Sequence, residues 1–65
     1  MNTVATIRRA ENLAELCTST VAEPMLESQI EHVKMAVING QDDLAWEFVL
    51  DLSEFCDTLE KELDD

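Results

Sequence analysis

Three side chains in this chain could ligate a soft metal or act as nucleophile and base: Cys17, Cys56 and His32. A structural zinc site takes four Cys or His ligands, one more than the chain owns. The cysteines form no CxxC pair, and each falls on an apolar helical face, so they read as small core residues. An interhelical disulfide between them would need an oxidising compartment. His32 directly follows Glu31, and neighbours on a helix point about 100° apart, so the two make no dyad. Gln29 stands three residues before His32, where the helical di-iron signature needs Glu. His32 therefore reads as a surface or rim residue. There is no Gly-rich phosphate loop, no GxSxG and no HExxH. No D-x-D-x-D-G loop organises the carboxylates around Ca²⁺. The expectation is a protein without catalysis, without a metal and without a cofactor.

What the chain owns in quantity is carboxylate. Fifteen acids oppose four Lys and Arg, for a formal net charge of −11. Residues 1–40 hold five acids against Arg8, Arg9 and Lys34, whereas residues 41–65 hold ten against Lys61 alone. Asp43, Glu47, Asp51, Glu54 and Asp57 follow one another at helical spacing with no base four residues on. Like-charged neighbours of this kind each cost a few tenths of a kcal/mol, and a purely structural helix would gain from interspersed lysine. Within this acidic run Trp46 and Leu50 stand one turn apart, away from the apolar stripe of the same segment. A Trp/Leu knob framed by carboxylates suits an interface anchor. The plainer reading packs Trp46 against the first helix or a dimer mate and leaves the acids as a solubilising face. The expected partner-binding set is Asp43, Trp46, Glu47, Leu50, Asp51, Glu54 and Asp57, and the expected partner is another protein with a basic surface.

Direct nucleic-acid binding is not expected, because Arg8 and Arg9 are the only basic cluster and phosphate binding takes several such contacts. The twin arginines are better suited to pairing with acids of a neighbouring helix or to anchoring a partner. Imitation of nucleic acid is a separate matter. Net −9 over about 36 Å of helix, at ~1.5 Å per residue, is one charge per ~4 Å. Duplex DNA carries one per ~1.7 Å. A single copy is too sparse by about twofold, and two copies side by side would approach the duplex density.

The elements that must position these residues are helical. Helix formers dominate, no stretch alternates like a strand, and the one glycine and one proline act as punctuation. The spacing predicts a first helix over about 3–17, capped by Asn2 or Thr3, with Val4, Ile7, Ala10, Leu13, Ala14 and Cys17 as its apolar stripe. Thr18, Ser19 and Thr20 compete for backbone hydrogen bonds, which places a break near 18–23, although one helix kinked at Pro24 is an alternative. A second helix is predicted over about 24–38, with Pro24 in its first turn and a seam of Leu26, Ile30, Val33 and Val37. Met25 and Met35 project away from that seam. Asn39-Gly40 ends this helix, glycine taking the left-handed C′ position. A third helix is predicted over about 42–63, capped by Asp42. Its main stripe is Leu44, Phe48, Leu52, Phe55, Leu59 and Leu63, widened by Ala45, Val49 and Cys56. The short link makes the last two helices an antiparallel hairpin. The first helix either closes a three-helix bundle or pairs with another subunit.

Sixty-five residues make one small all-α domain. A domain of this size buries only about 60% of its unfolded surface, and its core rarely supplies more than ~3–5 kcal/mol. Self-association is the expected support, so a homodimer or a complex with another protein is anticipated. At 46% apolar the chain is no disordered acidic tail. No apolar run approaches the ~20 residues of a membrane span, and no secretory h-region follows the N-terminal charges, so a cytoplasmic protein with reduced cysteines is expected. Two functions compete. In the first, a small acidic inhibitor docks its third helix on a basic partner, in the general manner of small phage-encoded and mobile-element inhibitors, anti-CRISPR proteins among them; this likeness is one of size and charge only. In the second, a structural module self-assembles, for instance as a dimeric four-helix bundle, with Trp46 buried between copies.

Overall fold

Asn2 starts the first helix. Its backbone is extended, and its side-chain oxygen accepts from the amides of Val4, at 2.8 Å, and Ala5, at 3.3 Å. Two donors that the helix itself leaves unmade are thereby satisfied. In the computed structural model, which describes residues 2–18 and 20–64, three helices follow: α1 (Thr3–Leu16), α2 (Ala22–Ile38) and α3 (Asp42–Asp64). Among the described residues there is no strand, and no helix is long and apolar enough to cross a membrane.

The breaks fall where backbone competitors sit. Thr18 Oγ1 donates to the Glu15 carbonyl at 2.7 Å, and Thr20 Oγ1 donates to that of Cys17 at 2.5 Å. Each hydroxyl takes a carbonyl that a continuing helix would use. Ser19, the third residue of this cluster, lies outside the described residues. α2 starts at Ala22, two residues before the position expected, and Pro24 sits in its first turn, where a missing N–H costs nothing. α2 ends at Asn39-Gly40, with Gly40 at φ +72° and no atom near where a Cβ would stand. Glycine is needed there for its backbone freedom alone. Asp42 is the first residue of α3 and not its cap. Gln41 stands before it, and its carbonyl accepts from the Ala45 amide at 2.8 Å. Asp42 and Asp43 thus lie in the first turn, where the helix dipole favours them.

The core is shared by all three helices. Ala10, Leu13 and Ala14 of α1 meet Leu26, Ile30 and Val33 of α2 and Val49, Leu52, Cys56 and Leu59 of α3. α1 therefore folds back within its own chain and closes a three-helix bundle. α2 and α3 run antiparallel, with Met25 near Phe55 and Leu59, and His32 near Phe48. α1 and α2 do likewise, so α1 and α3 are parallel.

This packing rotates the buried face of α3 away from the stripe expected of it. Ala45, Val49, Leu52, Cys56 and Leu59 are buried, Phe48 and Phe55 are half-buried, and Leu44 and Leu63 are exposed. The reason is that α3 sits in the groove between two helices, so its inward line is the bisector of two contacts. A hairpin alone would have favoured the Leu44–Phe48–Phe55 edge. For the same reason Val4 and Val37 are exposed, and Thr6 and Ala36 take the buried positions. Thr6 is satisfied there by donating its hydroxyl to the Asn2 carbonyl at 3.0 Å.

Candidate functional site

The outer face of α3 follows from the same rotation. At about 100° per residue, Asp43, Glu47, Leu50 and Glu54 fall within roughly 60° of one another along the outermost line of the helix. All four are exposed, as is Asp51. Trp46 and Asp57 flank this line on the side of α1, and Asp51 flanks it on the side of α2. Trp46 remains 45% exposed and Leu50 40% exposed, so neither is core. The seven residues expected at a partner-binding face do lie on one continuous surface.

They are not electrostatically alike. Arg9 of α1 reaches across to α3, where its guanidinium contacts Asp57 at 2.5 Å and also Glu60. Its Nε donates to Glu60 at 2.5 Å. The hydrogen bond to Asp57 raises the already high pKa of Arg9, partial burial opposes this, and Glu60 reinforces it. Asp57 is therefore exposed yet engaged in holding α1. Among the described residues no base pairs with Asp43, Glu47, Asp51 or Glu54.

The Arg9 contacts set the middle of α1 against the last third of α3. Trp46 is half-exposed because it stands beside the outer line of α3, whereas Ala45 and Val49, on the inward line, are buried.

Three features escape a reading of α3 alone. First, Glu11, Glu15, Glu23, Glu27 and Glu31, every acid of residues 1–40, line one groove between α1 and α2, with Lys34 their only base. Their i, i+4 spacing within each helix was the available signal; that the two rows meet depends on the α1–α2 turn. Second, Cys17, Val21, Met25, Phe55, Leu59 and Leu63 line an apolar depression between the α1–α2 turn and the last turns of α3, where Glu62 is the one charge. Third, Gln29, His32, Phe48 and Asp51 surround a small cavity between α2 and α3.

The residues able to do other chemistry stay apart or inert. Cys17 and Cys56 are buried thiols, not joined to each other. Burial pushes the Cys56 thiol pKa up, with Glu60 and Asp57 adding to the effect and Arg9 opposing it, so this thiol is not an activated nucleophile. Among the described residues no group of three or more His, Cys, Asp or Glu is arranged to hold a metal ion. The chain matches no protein-family model, no curated protein and no solved structure.

Proposed function

We propose that this protein is a small non-catalytic binding module that lays the outer face of α3 on a basic surface of another protein and so blocks or modulates it. One observation carries the reading: Trp46 and Leu50 stay exposed on a helix whose core face is already filled, inside a frame of carboxylates of which, among the described residues, Asp43, Glu47, Asp51 and Glu54 have no base paired to them. Half-exposed tryptophan flanked by leucine provides the apolar anchor, and the carboxylates provide steering and register. Two buried thiols suit a reduced, cytoplasmic setting. The test is affinity capture from the native host with wild type and with Trp46→Ala/Leu50→Ala. The double variant should keep its helicity and lose the partner that wild type retains. Retention by a folded double variant would show that the face is wrongly chosen. Competition with DNA or RNA for that partner would identify the stronger form of the reading, nucleic-acid mimicry.

A second reading, a self-assembling helical module, is favoured by the apolar depression between the α1–α2 turn and the last turns of α3. In a chain of net charge −11 that patch is where two copies would repel one another least. Sedimentation across a dilution series tests it, with tryptophan emission as the discriminator. Dimerisation through that patch leaves Trp46 emission unchanged, whereas dimerisation through Trp46 shifts it to the red on dilution.

A further inference from the structure

The cavity between α2 and α3 is small, about 220 Å³, and chemically lopsided. Gln29 and His32 contribute from successive turns of α2, and Phe48 and Asp51 from successive turns of α3. The His32 and Phe48 rings lie against each other, centroids 5.5 Å apart and planes tilted by 34°, and form one wall. Gln29 Oε1 is buried and accepts no hydrogen bond. A buried amide oxygen without a donor destabilises a fold, and a leucine beside the seam here would leave no orphan atom. Asp51 is exposed beside it, with no base paired to it among the described residues. An unmatched negative charge and an aromatic ring therefore converge on one hollow, and an unmet acceptor is buried within the wall beside them.

These are the three complements of a guanidinium: N–H donors, positive charge and a flat face that lies on an aromatic ring. Lysine offers charge and donors but no plane. We propose that this cavity seats an arginine side chain of the basic partner. The inference rests on the docking-face reading and deepens it. Asp51 belongs both to the cavity and to the flank of the Asp43–Glu47–Leu50–Glu54 line, so an arginine entering here borders the surface on which Trp46 and Leu50 would anchor. Docking, with a turn of the buried Gln29 amide toward the cavity, would supply the donor that Gln29 lacks in the isolated chain.

The test uses the intact, isotope-labelled protein and N-acetyl-arginine methylamide as probe, followed by NMR. The expected result is a saturable shift confined to the Gln29 side-chain amide and the His32 and Phe48 rings. The citrulline analogue, of the same shape but neutral, should produce none, and the lysine analogue a weaker one. Asp51→Asn should weaken arginine binding by about tenfold. Gln29→Leu should weaken it several-fold without lowering the melting temperature. Equal shifts with citrulline, arginine shifts spread over the glutamates of the α1–α2 groove, or indifference to Asp51→Asn would overturn the assignment and leave the hollow to water. Loss of the partner in Trp46→Ala/Leu50→Ala without a localised arginine signal removes the cavity and keeps the face. A localised arginine signal with full partner capture by that double variant keeps the cavity and removes the face.

Discussion

The two halves of α3 are both acidic and both amphipathic, yet they are held differently. The second half has Arg9 laid across Asp57 and Glu60, α1 covering its flank, and Leu52, Cys56 and Leu59 packed on two helices. In the first half Ala45 and Val49 are buried too, but among the described residues Asp43, Glu47 and Asp51 have no base paired to them. Charge counts therefore do not distinguish a structural acid from an unpaired one. What distinguishes them is whether a base of another helix reaches them, and among the described residues Arg9 does so only in the second half.

The contrast can be broken most severely at the residue both halves share. Leu52 is fully buried near the middle of α3. Leu52→Ala should cost about 2–5 kcal/mol, comparable with the whole ~3–5 kcal/mol expected of so small a core. Circular dichroism should show both halves unfolding together; a variant that kept the first half helical would mean the halves are independent. Next in size is the Trp46→Ala/Leu50→Ala pair, which should weaken partner binding by at least about 2 kcal/mol, roughly thirtyfold, while moving stability far less. If the melting temperature fell as steeply as in Leu52→Ala, the first half would be structural after all. Arg9→Met probes the other half. It should lower stability by up to about 1 kcal/mol at low salt, less as salt rises, and leave partner binding intact. The smallest effect concerns pH. Burial raises the Cys56 pKa in the folded state, so folding favours the neutral thiol. That contribution is fully present below the unfolded thiol pKa of about 8.5 and is lost as pH rises toward the folded value. Denaturation midpoints should hold steady from pH 6 to about 8 and decline above it. Cys56→Ala should flatten that decline; an unchanged slope would assign it to other groups.

Much of the fold was legible in the sequence because its signals are local. Asn2, Asn39-Gly40, Thr18 and Thr20 act within one turn of themselves, and the helix limits they imply match those observed to within one or two residues. Which side of α3 faces inward was less legible. Its apolar arc is wide enough to offer two axes, and only the position of α1 selects the line through Val49, Leu52 and Cys56. The seven candidate site residues could be grouped on one face from periodicity. That Asp57 is tied to Arg9 could not, since the two are far apart in sequence. The same holds for the glutamate groove and for the orphaned Gln29 oxygen, both of which exist only where two helices meet.

α1 contributes little grease to the common interior. Its buried residues within the helix are Thr6, Ala10, Leu13 and Ala14, of which only Leu13 is a large hydrocarbon. The methyl groups of the two alanines allow close backbone approach but remove little surface from water. The first opening of the molecule should accordingly be α1 swinging off a persisting α2–α3 pair. Amide hydrogen exchange would record this as early deuteration of residues 6–16, well ahead of the backbone around Val33 and Val49.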